Sequence, residues 1–394
     1  MSLSVSKRMA RVQPSPTGAV LALATELRAA GRDIISLGAG EPDFDTPQHI
    51  KDAAIAAINS GDTKYTPIDG TAALKEAIQA KFERDNQLKF DTSQIVVTSG
   101  AKQALFNLCM GLLGPGDEAI IPAPYWVSYP DMVKIAGADP VIINAGIDQD
   151  FRITPRQLAA AITPGTRLFI LNSPSNPTGA SYSKEELQAL GAVLAGHPQI
   201  VIASDDIYEH IHWGEQPFCS FASACPELAD RVVAVNGVSK SHAMTGWRIG
   251  YAAGPQELIA VMKTLQSQST SNPCSISQAA AVAALQGDQS IVAEMCRAYR
   301  ERHDWLVGAL NDIEGFECRS GEGTFYAFPR VRKALQRTGH RDDADLTRHL
   351  IETADVACVP GSAFGAPGYL RMSFACSLEM LQEAVERIKR ALVA

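Results

Sequence analysis

Short, continuous apolar runs alternate with helical patterns through much of this 394-residue chain, and this alternation most constrains its fold. A strand that is apolar on both faces must be covered on both faces, and the intervening helices supply that cover. The pattern predicts an α/β domain with a mainly parallel, mixed sheet between helices. The predicted strands cover residues 94–98, 118–121, 140–143, 167–171, 200–204, 231–235 and 249–252, and helices are predicted at residues 103–113 and 184–194.

The C-terminal third has a different pattern. Residues 290–310 predict a long helix and residues 378–393 a closing one, with a strand expected in the segment GEGTFYAFPRV between them. A chain of this length, with 46% hydrophobic and 20% charged residues, is able to bury a large core. We therefore expect a large α/β domain and a second, smaller α+β domain.

The charge balance narrows the possible partners. The formal net charge is -8 and the sequence pI is near 5.5, whereas nucleic-acid-binding proteins usually carry a basic surface. The basic N-terminus lacks the apolar core of a signal peptide, and no stretch approaches the ~20 apolar residues of a membrane span. We expect a cytoplasmic protein with no nucleic-acid or membrane partner. The eight cysteines form no CxxC pair, so neither a zinc site nor a disulfide framework is predicted, and no metal is expected.

Small and polar residues follow the ends of several predicted strands. In an open α/β sheet, ligands bind outside the carboxyl ends of the strands, so these segments are expected to converge on one pocket. The first of them, SGAKQAL, begins a helix, and the free N–H groups of Gly100, Ala101 and Lys102 are suited to hold a phosphate. An ordinary helix start capped by Ser99 is the alternative.

Lys240 follows the apolar run 232–235, in the segment VSKSHAMTGWRIGY. A lysine desolvated at the mouth of a parallel sheet loses part of its preference for the charged form, so its neutral amine is able to form a Schiff base with a carbonyl. Arg248 adds a fixed cation eight residues further on. An aldehyde that carries a phosphate would satisfy both groups, and pyridoxal 5'-phosphate is such a cofactor. The alternative is an ordinary solvated lysine, which is the usual state of this residue.

Asp205 stands directly after the predicted strand 200–204, in the segment DDIYEH. A carboxylate at that depth requires a cationic or donor partner, because burying it alone is very costly. A protonated pyridine nitrogen would supply that partner, and the charged ring would then withdraw electrons from a substrate carbon that loses its proton. The neighbouring Asp206 is expected to point to the other face of the sheet and is the weaker candidate.

The run SKSHAMTGWRIGY resembles the cofactor-lysine segment of the class I aminotransferases of PLP fold type I, particularly the bacterial aspartate aminotransferase branch. The similarity extends from the first residues to the last strand. It implies a homodimeric enzyme that binds pyridoxal 5'-phosphate on Lys240, with Ser239 beside it. It also implies a large cofactor-binding domain at residues 48–288 and a small domain formed by both termini, residues 1–47 and 289–394.

The resemblance also implies roles around the cofactor. Asn176 in NSPSNPTG and Tyr208 in DDIYEH are implied to bind the phenolic oxygen at the 3-position of the ring, although core packing is the alternative for Tyr208. In PAPYWVSYP, the resemblance places Trp126 rather than Tyr125 over one face of the ring. Tyr65 in KYTPIDG is implied to reach the cofactor phosphate of the neighbouring subunit, and STSNPCSISQ resembles another interface loop.

Two further segments are implied to bind the substrate. Arg371 in GYLRMSFA is similar to the arginine that clamps the α-carboxylate, a role suited to its planar fork, and an exposed arginine in an ion pair is the alternative. Gly40 in SLGAGEPDFDTP would lie beside the same carboxylate, and Trp126 and Asn176 would also contact the substrate. The implied reaction is a ping-pong transfer in which Lys240 moves a proton between the substrate α-carbon and the cofactor, and a 2-oxo acid leaves.

The resemblance defines the substrate less narrowly than the cofactor. The branch that this chain resembles uses aspartate or glutamate with 2-oxoglutarate or oxaloacetate, and its members often have VKPSxT near the N-terminus. This chain has VQPSPT, with Gln13 at the position of that lysine, and no arginine lies in residues 264–278 to replace it. Aromatic or other neutral amino acids and prephenate are therefore alternative substrates. A PLP lyase of the same fold type is a more distant alternative.

Overall fold

The computed structural model describes residues 6–14 and 16–393 of the chain. The strands, in chain order, are β1 (Ile35–Ser36), β2 (Ile95–Thr98), β3 (Glu118–Ala123), β4 (Asp139–Asn144), β5 (Thr166–Asn172), β6 (Val201–Asp205), β7 (Val232–Gly237), β8 (Gly250–Ala253), β9 (Tyr326–Ala327), β10 (Val356–Ala357), β11 (Val359–Pro360) and β12 (Leu370–Ser373). The α-helices are α1 (Pro16–Ala29), α2 (Gln48–Asn59), α3 (Ala72–Lys81), α4 (Ala101–Leu112), α5 (Tyr129–Ile135), α6 (Pro155–Ala161), α7 (Lys184–Ala195), α8 (Phe221–Ala224), α9 (Gln256–Ser267), α10 (Ser275–Gln286), α11 (Ser290–Asn311), α12 (Arg332–Thr338), α13 (Asp343–Thr353) and α14 (Leu378–Val393).

Seven strands form the main sheet, in the order β2-β8-β7-β6-β5-β3-β4. Neighbouring strands are parallel except around β8, which runs antiparallel to both β2 and β7. The predicted mainly parallel, mixed sheet is therefore confirmed. Each predicted strand lies where it was expected, with ends that differ by two residues at most.

Apolar side chains cover both faces of this sheet. Ile120 packs in a cluster with Phe169 and with residues of α7, whereas the next residue, Ile121, packs in a different cluster with Leu168 and residues of α4. Successive side chains of a strand point to opposite faces, so a continuous apolar run is required when both faces are buried. Every residue of β7 is buried, which explains why the run before Lys240 contains almost no polar residue.

Two smaller sheets lie outside the main one. In the first, β1 pairs in parallel with β10, so that Ile35 lies opposite Val356 and the N-terminal segment joins the C-terminal third of the chain. In the second, β12 lies between β11 and β9 and is antiparallel to both. The strand expected in GEGTFYAFPRV is β9, which is only two residues long. The residue bounds of the two expected domains stay a prediction.

Within residues 6–14 and 16–393, no helix combines the length and the apolar character that crossing a membrane requires.

Candidate active site

One cavity of about 340 Å³ collects most of the candidate residues at the carboxyl ends of the central strands. The strand-end argument predicts this convergence, because parallel strands end at the same edge of the sheet. Two candidates do not line the cavity: Gly100 lies directly behind it and Tyr65 lies elsewhere. The candidates that do line it are Gly40, Ala101, Lys102, Trp126, Asn176, Asp205, Tyr208, Ser239, Lys240, Arg248 and Arg371.

Lys240 lies in the loop after β7 and is half-buried, with its amine inside the cavity. Its Nζ donates a hydrogen bond of 2.5 Å to the backbone oxygen of Gly40, in the loop that follows β1. Burial, with a smaller contribution from the positive charge of Arg371, lowers the pKa of this amine to about 8. The neutral amine, which a nucleophile or a base requires, is therefore far more populated near neutral pH than in an ordinary lysine.

Asp205 is the last residue of β6 and is buried at the floor of the cavity. Its Oδ2 accepts a hydrogen bond of 2.5 Å from the hydroxyl of Tyr129, and its Oδ1 accepts a longer one of 3.4 Å from the N–H of Ile207. Burial raises the pKa of Asp205 to about 6 in spite of these donors. Among the described residues, no lysine, arginine or histidine forms an ion pair with it, so this carboxylate offers a buried negative charge to a cationic group.

Asp206, the next residue, points away from the cavity. Its two oxygens accept hydrogen bonds of 2.7 Å from the hydroxyls of Ser204 and Ser220. Burial, followed by repulsion from Glu209, raises the pKa of Asp206 to about 7. The alternation of side chains along a strand therefore separates two adjacent acids that have different surroundings.

The start of α4 is a candidate anion cradle. Gly100 precedes the helix with a φ of 86°, and no side chain caps this end, so the alternative of a Ser99 cap is wrong. The backbone N–H of Ser99 instead donates to the side chain of Gln103. A Cβ at Gly100 would lie 2.2 Å from Arg248 Nη2, so only glycine allows the guanidinium to approach so closely. Uncapped N–H groups, the helix dipole and this cation together favour a phosphate.

Arg248 is held in place beside this helix start. Its Nη1 donates to the backbone oxygen of Thr245 at 2.8 Å, and its Nη2 donates to that of Ser99 at 3.2 Å. Lys102 supplies a second cation, and its Nζ lies 4.7 Å from the centroid of the Trp126 ring. Burial, followed by repulsion from Arg248, lowers the pKa of Lys102.

Arg371, on β12, is a second candidate anion site. Only 2% of this residue is exposed, so the alternative of an exposed arginine in an ion pair is wrong. Its guanidinium lies 4.3 Å from the ring centroid of Tyr326 and 4.9 Å from that of Phe364. Nη2 donates to the backbone oxygen of Gly38 at 2.9 Å, whereas Nε has no hydrogen-bond partner among the described residues. Within the described part of the chain no carboxylate neutralises this buried cation, so it is suited to bind a carboxylate ligand.

The aromatic residues of the cavity have distinct positions. Trp126 lines the cavity and packs edge-to-face on Tyr129, with ring centroids 5.3 Å apart. Tyr125 points elsewhere, against Gly365. The hydroxyls of Tyr208 and Tyr326 lie 3.1 Å apart, so Tyr208 is both buried and hydrogen-bonded next to the cavity.

Several residues that line the cavity were not identified from the sequence, and Tyr129, Asn172 and Tyr326 are three of them. Tyr129 follows Trp126 by three residues, and its N–H donates to the backbone oxygen of Trp126 at 3.1 Å in the turn that precedes α5. That three-residue spacing was a usable signal. Asn172 ends β5; its amide donates to the backbone oxygen of Asp205 at 2.8 Å, and its Oδ1 accepts from the N–H of Asn176. No local pattern indicates Tyr326, because its position depends on the pairing of β9 with β12.

Two predicted residues lie outside the cavity. Tyr65 is 92% exposed, so its ring takes no part in the site of its own chain. Gln13 is exposed and lines an adjoining groove of about 500 Å³, which shares Lys102 and Arg248 with the cavity. Phe106 is among the apolar side chains that line this groove.

A buried ionic network lies behind the loop that carries Tyr208. Glu209 forms an ion pair with Lys81, whose side chain is completely buried, and accepts hydrogen bonds from Asn86 and Asn236 at 2.7 and 2.8 Å. Burial is the largest single influence and would raise the pKa of Glu209, but the charge of Lys81, other nearby positive charge and the hydrogen bonds from Lys81 and Asn86 together outweigh it, so the pKa lies below its usual value. Asp85, Glu209 and His210 could also share a metal ion by their spacing; here Lys81 already supplies Glu209 with a positive charge.

These features define a class of protein: a mainly parallel sheet with a desolvated lysine, a buried acid and two groups of uncompensated cationic or N–H donors around one cavity. Residues 32–388 match the family described as "Aminotransferase class I and II", and the chain belongs to this family. The fold is that of the class I aminotransferases, PLP fold type I.

Individual relatives match almost the whole chain. The chain is 56% identical to an aspartate/prephenate aminotransferase of Nitrosomonas europaea, over 98% of this chain and 99% of that protein. It is 52% identical to an aspartate aminotransferase of Geobacillus stearothermophilus, over 100% of both. The crystal structure of an aspartate aminotransferase from Rhizobium meliloti superimposes with a TM-score of 0.95 at 46% identity, covering 100% of this chain and 99% of that one. The protein is therefore an enzyme, a transaminase.

Proposed function

We propose that this transaminase uses pyridoxal 5'-phosphate to move the amino group of aspartate or glutamate to a 2-oxo acid such as 2-oxoglutarate, in a ping-pong cycle. The observation that carries the proposal is the pair of anion sites on either side of the Lys240 amine. The cradle at Gly100 and Arg248 suits the cofactor phosphate, and Arg371 suits the α-carboxylate of the substrate.

The residues present fit the proposed cofactor. The cradle at Gly100 combines an uncapped helix start with a held guanidinium, and Asp205 is a buried carboxylate that lacks an ion-pair partner in the described chain. A pyridinium nitrogen would give Asp205 that partner, and Trp126 would cover a ring placed between the two. When bound, the cofactor supplies an aldehyde for the Lys240 amine and a ring that withdraws electrons from the substrate α-carbon.

The protein side chains would then divide the work. Arg371 would hold the α-carboxylate beside the backbone of Gly40, so that the α-hydrogen faces Lys240. The amine of Lys240 would accept that proton and return it on the cofactor side. Asn176 and Tyr208 would donate to the phenolic oxygen of the ring, and Asp205 would keep the ring nitrogen protonated.

The names of the relatives support an acidic substrate, because they include aspartate and aspartate/prephenate aminotransferases. The cation of Lys102 would meet the distal carboxylate of such a substrate, while Gln13 contributes no charge. Prephenate is the second candidate. The groove beside the cavity favours it, since apolar side chains such as Phe106 would accommodate a ring.

We also propose that the active enzyme is a homodimer. Tyr65 is 92% exposed, and Ile55 and Ile58, three residues apart on α2, are each 52% exposed. Neighbouring exposed apolar side chains of this kind favour a protein interface. In the proposed dimer, Tyr65 of one subunit would reach the cofactor phosphate of the other.

We propose a large domain of residues 48–288 and a small domain of residues 1–47 and 289–394. Substrate binding would draw the two domains together, because Gly40 and Arg371 belong to the small domain.

Spectroscopy of the two half-reactions tests these proposals. Purified enzyme with pyridoxal 5'-phosphate should absorb visible light, and aspartate or glutamate should convert that spectrum faster than phenylalanine or alanine. Prephenate and 2-oxoglutarate should each restore it. Lys240→Ala should abolish turnover. A preparation that stays colourless, or a Lys240→Ala variant that still turns over, would contradict the assignment.

A further inference from the structure

Residues 61–70, which carry Tyr65, form an extended strap on the surface. Glycines in the left-handed region stand at both ends, Gly61 with a φ of 79° and Gly70 with a φ of 102°. A Cβ at Gly70 would lie 2.4 Å from a methyl group of Val97, so this end of the strap is pressed against β2. Residues 61–65 are all exposed, and the ring of Tyr65 points away from the rest of the chain.

The first turn of α10 holds this strap through two side chains. Ser275 Oγ donates to the backbone oxygen of Asp62 at 2.7 Å. Gln278, which is three residues later and on the same face, donates from Nε2 to Thr66 Oγ1 at 3.0 Å and accepts at Oε1 from the N–H of Thr71 at 2.8 Å. The two side chains therefore contact the strap on both sides of Tyr65.

Gln278 makes the stronger of these attachments. It is completely buried, and its second N–H donates to the backbone oxygen of Pro273 at 2.9 Å. Both donors and the acceptor of its amide are thus used, and a buried amide that loses such partners is costly. Pro273 lies in the segment 269–278, so one side chain joins this segment to the Tyr65 strap.

We propose that Gln278 is a positioning residue that orients Tyr65 toward the cofactor phosphate of the neighbouring subunit. This inference rests on the proposed dimer with shared sites. A side chain that points away from its own subunit is oriented only through its backbone, and Gln278 holds that backbone through Thr66 and Thr71. Ordering the strap before the subunits meet lowers the entropic cost of the contact with the phosphate.

Mixed dimers separate this role from a purely structural one. In the first arrangement, one subunit carries Lys240→Ala and Gln278→Leu and the other is unchanged, so the single intact site receives Tyr65 from the altered strap. In the second, one subunit carries Lys240→Ala and the other carries Gln278→Leu, so the intact site receives Tyr65 from an unaltered strap. The readout is the dissociation constant of pyridoxal 5'-phosphate, measured from absorbance.

We expect roughly tenfold weaker cofactor binding in the first arrangement and unchanged binding in the second, a difference of the size that one lost hydrogen bond produces. Pyridoxal, which lacks the phosphate, should bind equally in both. Equal affinities of pyridoxal 5'-phosphate in the two arrangements, or weaker binding only in the second, would overturn the inference.

Two further variants keep the test informative. Thr66→Val removes only the hydroxyl that accepts from Gln278, and it should reproduce part of the effect if Gln278→Leu fails to fold. Gln79→Leu is the matched control, because this half-buried glutamine also donates to a backbone oxygen, that of Phe90, away from the strap.

Tyr65→Phe in the same two arrangements tests the shared site itself. If Tyr65→Phe gives the same cofactor affinity in both arrangements, the proposed sharing of sites between subunits is wrong. If Tyr65→Phe gives different affinities and Gln278→Leu does not, only the role of Gln278 is wrong.

Discussion

Arg371 Nη1 donates a hydrogen bond of 2.9 Å to Oδ1 of Asn176, and this contact joins two residues that are 195 positions apart in the chain. A guanidinium has only hydrogen-bond donors, so the atom of the Asn176 side chain that faces Arg371 must be the amide oxygen. The Nδ2 of Asn176 is therefore left to donate into the cavity. The contact couples the proposed carboxylate clamp to the turn after β5, which is proposed to hold the cofactor.

Arg371→Lys should weaken the use of every amino acid, because a lysine cannot make the paired hydrogen bonds of a guanidinium with a carboxylate. We expect kcat/KM to fall roughly 10- to 100-fold, the range for losing a hydrogen bond between charged groups, with little change in cofactor affinity. Steady-state kinetics with aspartate check this. Arg297→Lys, at an exposed position, is the control; an unchanged kcat/KM in Arg371→Lys would rule out the clamp.

Tyr129→Phe should loosen the cofactor. The variant removes the hydrogen bond of 2.5 Å to Asp205, which orients the carboxylate proposed to face the ring nitrogen. We expect roughly 10- to 100-fold weaker binding of pyridoxal 5'-phosphate. Equilibrium dialysis or absorbance titration measures it.

Tyr182→Phe provides the comparison for this prediction. Its buried hydroxyl accepts from the N–H of Ile153 at 2.8 Å, outside the cavity. That variant should lose stability but keep its cofactor affinity. If both variants bind the cofactor equally, the contact between Tyr129 and Asp205 has no special role.

The pH dependence of cofactor uptake should report the amine of Lys240. Its pKa is lowered to about 8, so the reactive neutral form grows as the pH rises and the uptake rate of the apoprotein should reach a plateau above that value. Arg371→Met removes a nearby positive charge and should move the midpoint upward. Stopped-flow absorbance measures the midpoint, and Lys333→Met, at an exposed site, should leave it in place. A midpoint near the usual lysine value in the unaltered protein would contradict the desolvation argument.

Asp206→Asn should make the apoprotein more stable in alkali than the unaltered protein. The folded pKa of Asp206 is raised to about 7, so its stabilising proton is fully present below the unfolded value of about 3.8 and is lost as the pH rises through 7. An asparagine stays neutral and escapes this loss. We expect the free energy of unfolding of Asp206→Asn, relative to that of the unaltered protein, to increase by roughly 2–3 kcal/mol between pH 5 and pH 8.

Thermal or urea unfolding across that pH range measures this gain. Asp230→Asn changes an exposed carboxylate and should show no such trend. A constant difference between Asp206→Asn and the unaltered protein at all pH values would mean that Asp206 does not titrate in this range.

Much of the site could be predicted because it follows the ends of parallel strands. Asp205 ends β6, Lys240 follows β7 and Asn176 follows β5, so local patterns placed all three at one edge of the sheet. The Gly100 turn was found in the same way. The close contact between Gly100 and Arg248 could not be predicted from this turn, because Arg248 lies in a segment almost 150 residues later.

The sequence by itself determined the strands of the main sheet, several of the helices and the chemical character of the site. Apolar periodicity records which faces are buried, and the carboxyl ends of parallel strands lie at one edge of any parallel sheet. Only the tertiary structure decided that Arg371 is buried without a counter-charge, that Tyr129 binds Asp205 and that Gln278 holds the Tyr65 strap. Each of these contacts joins segments far apart in the chain, and periodicity carries no information about which distant side chains meet.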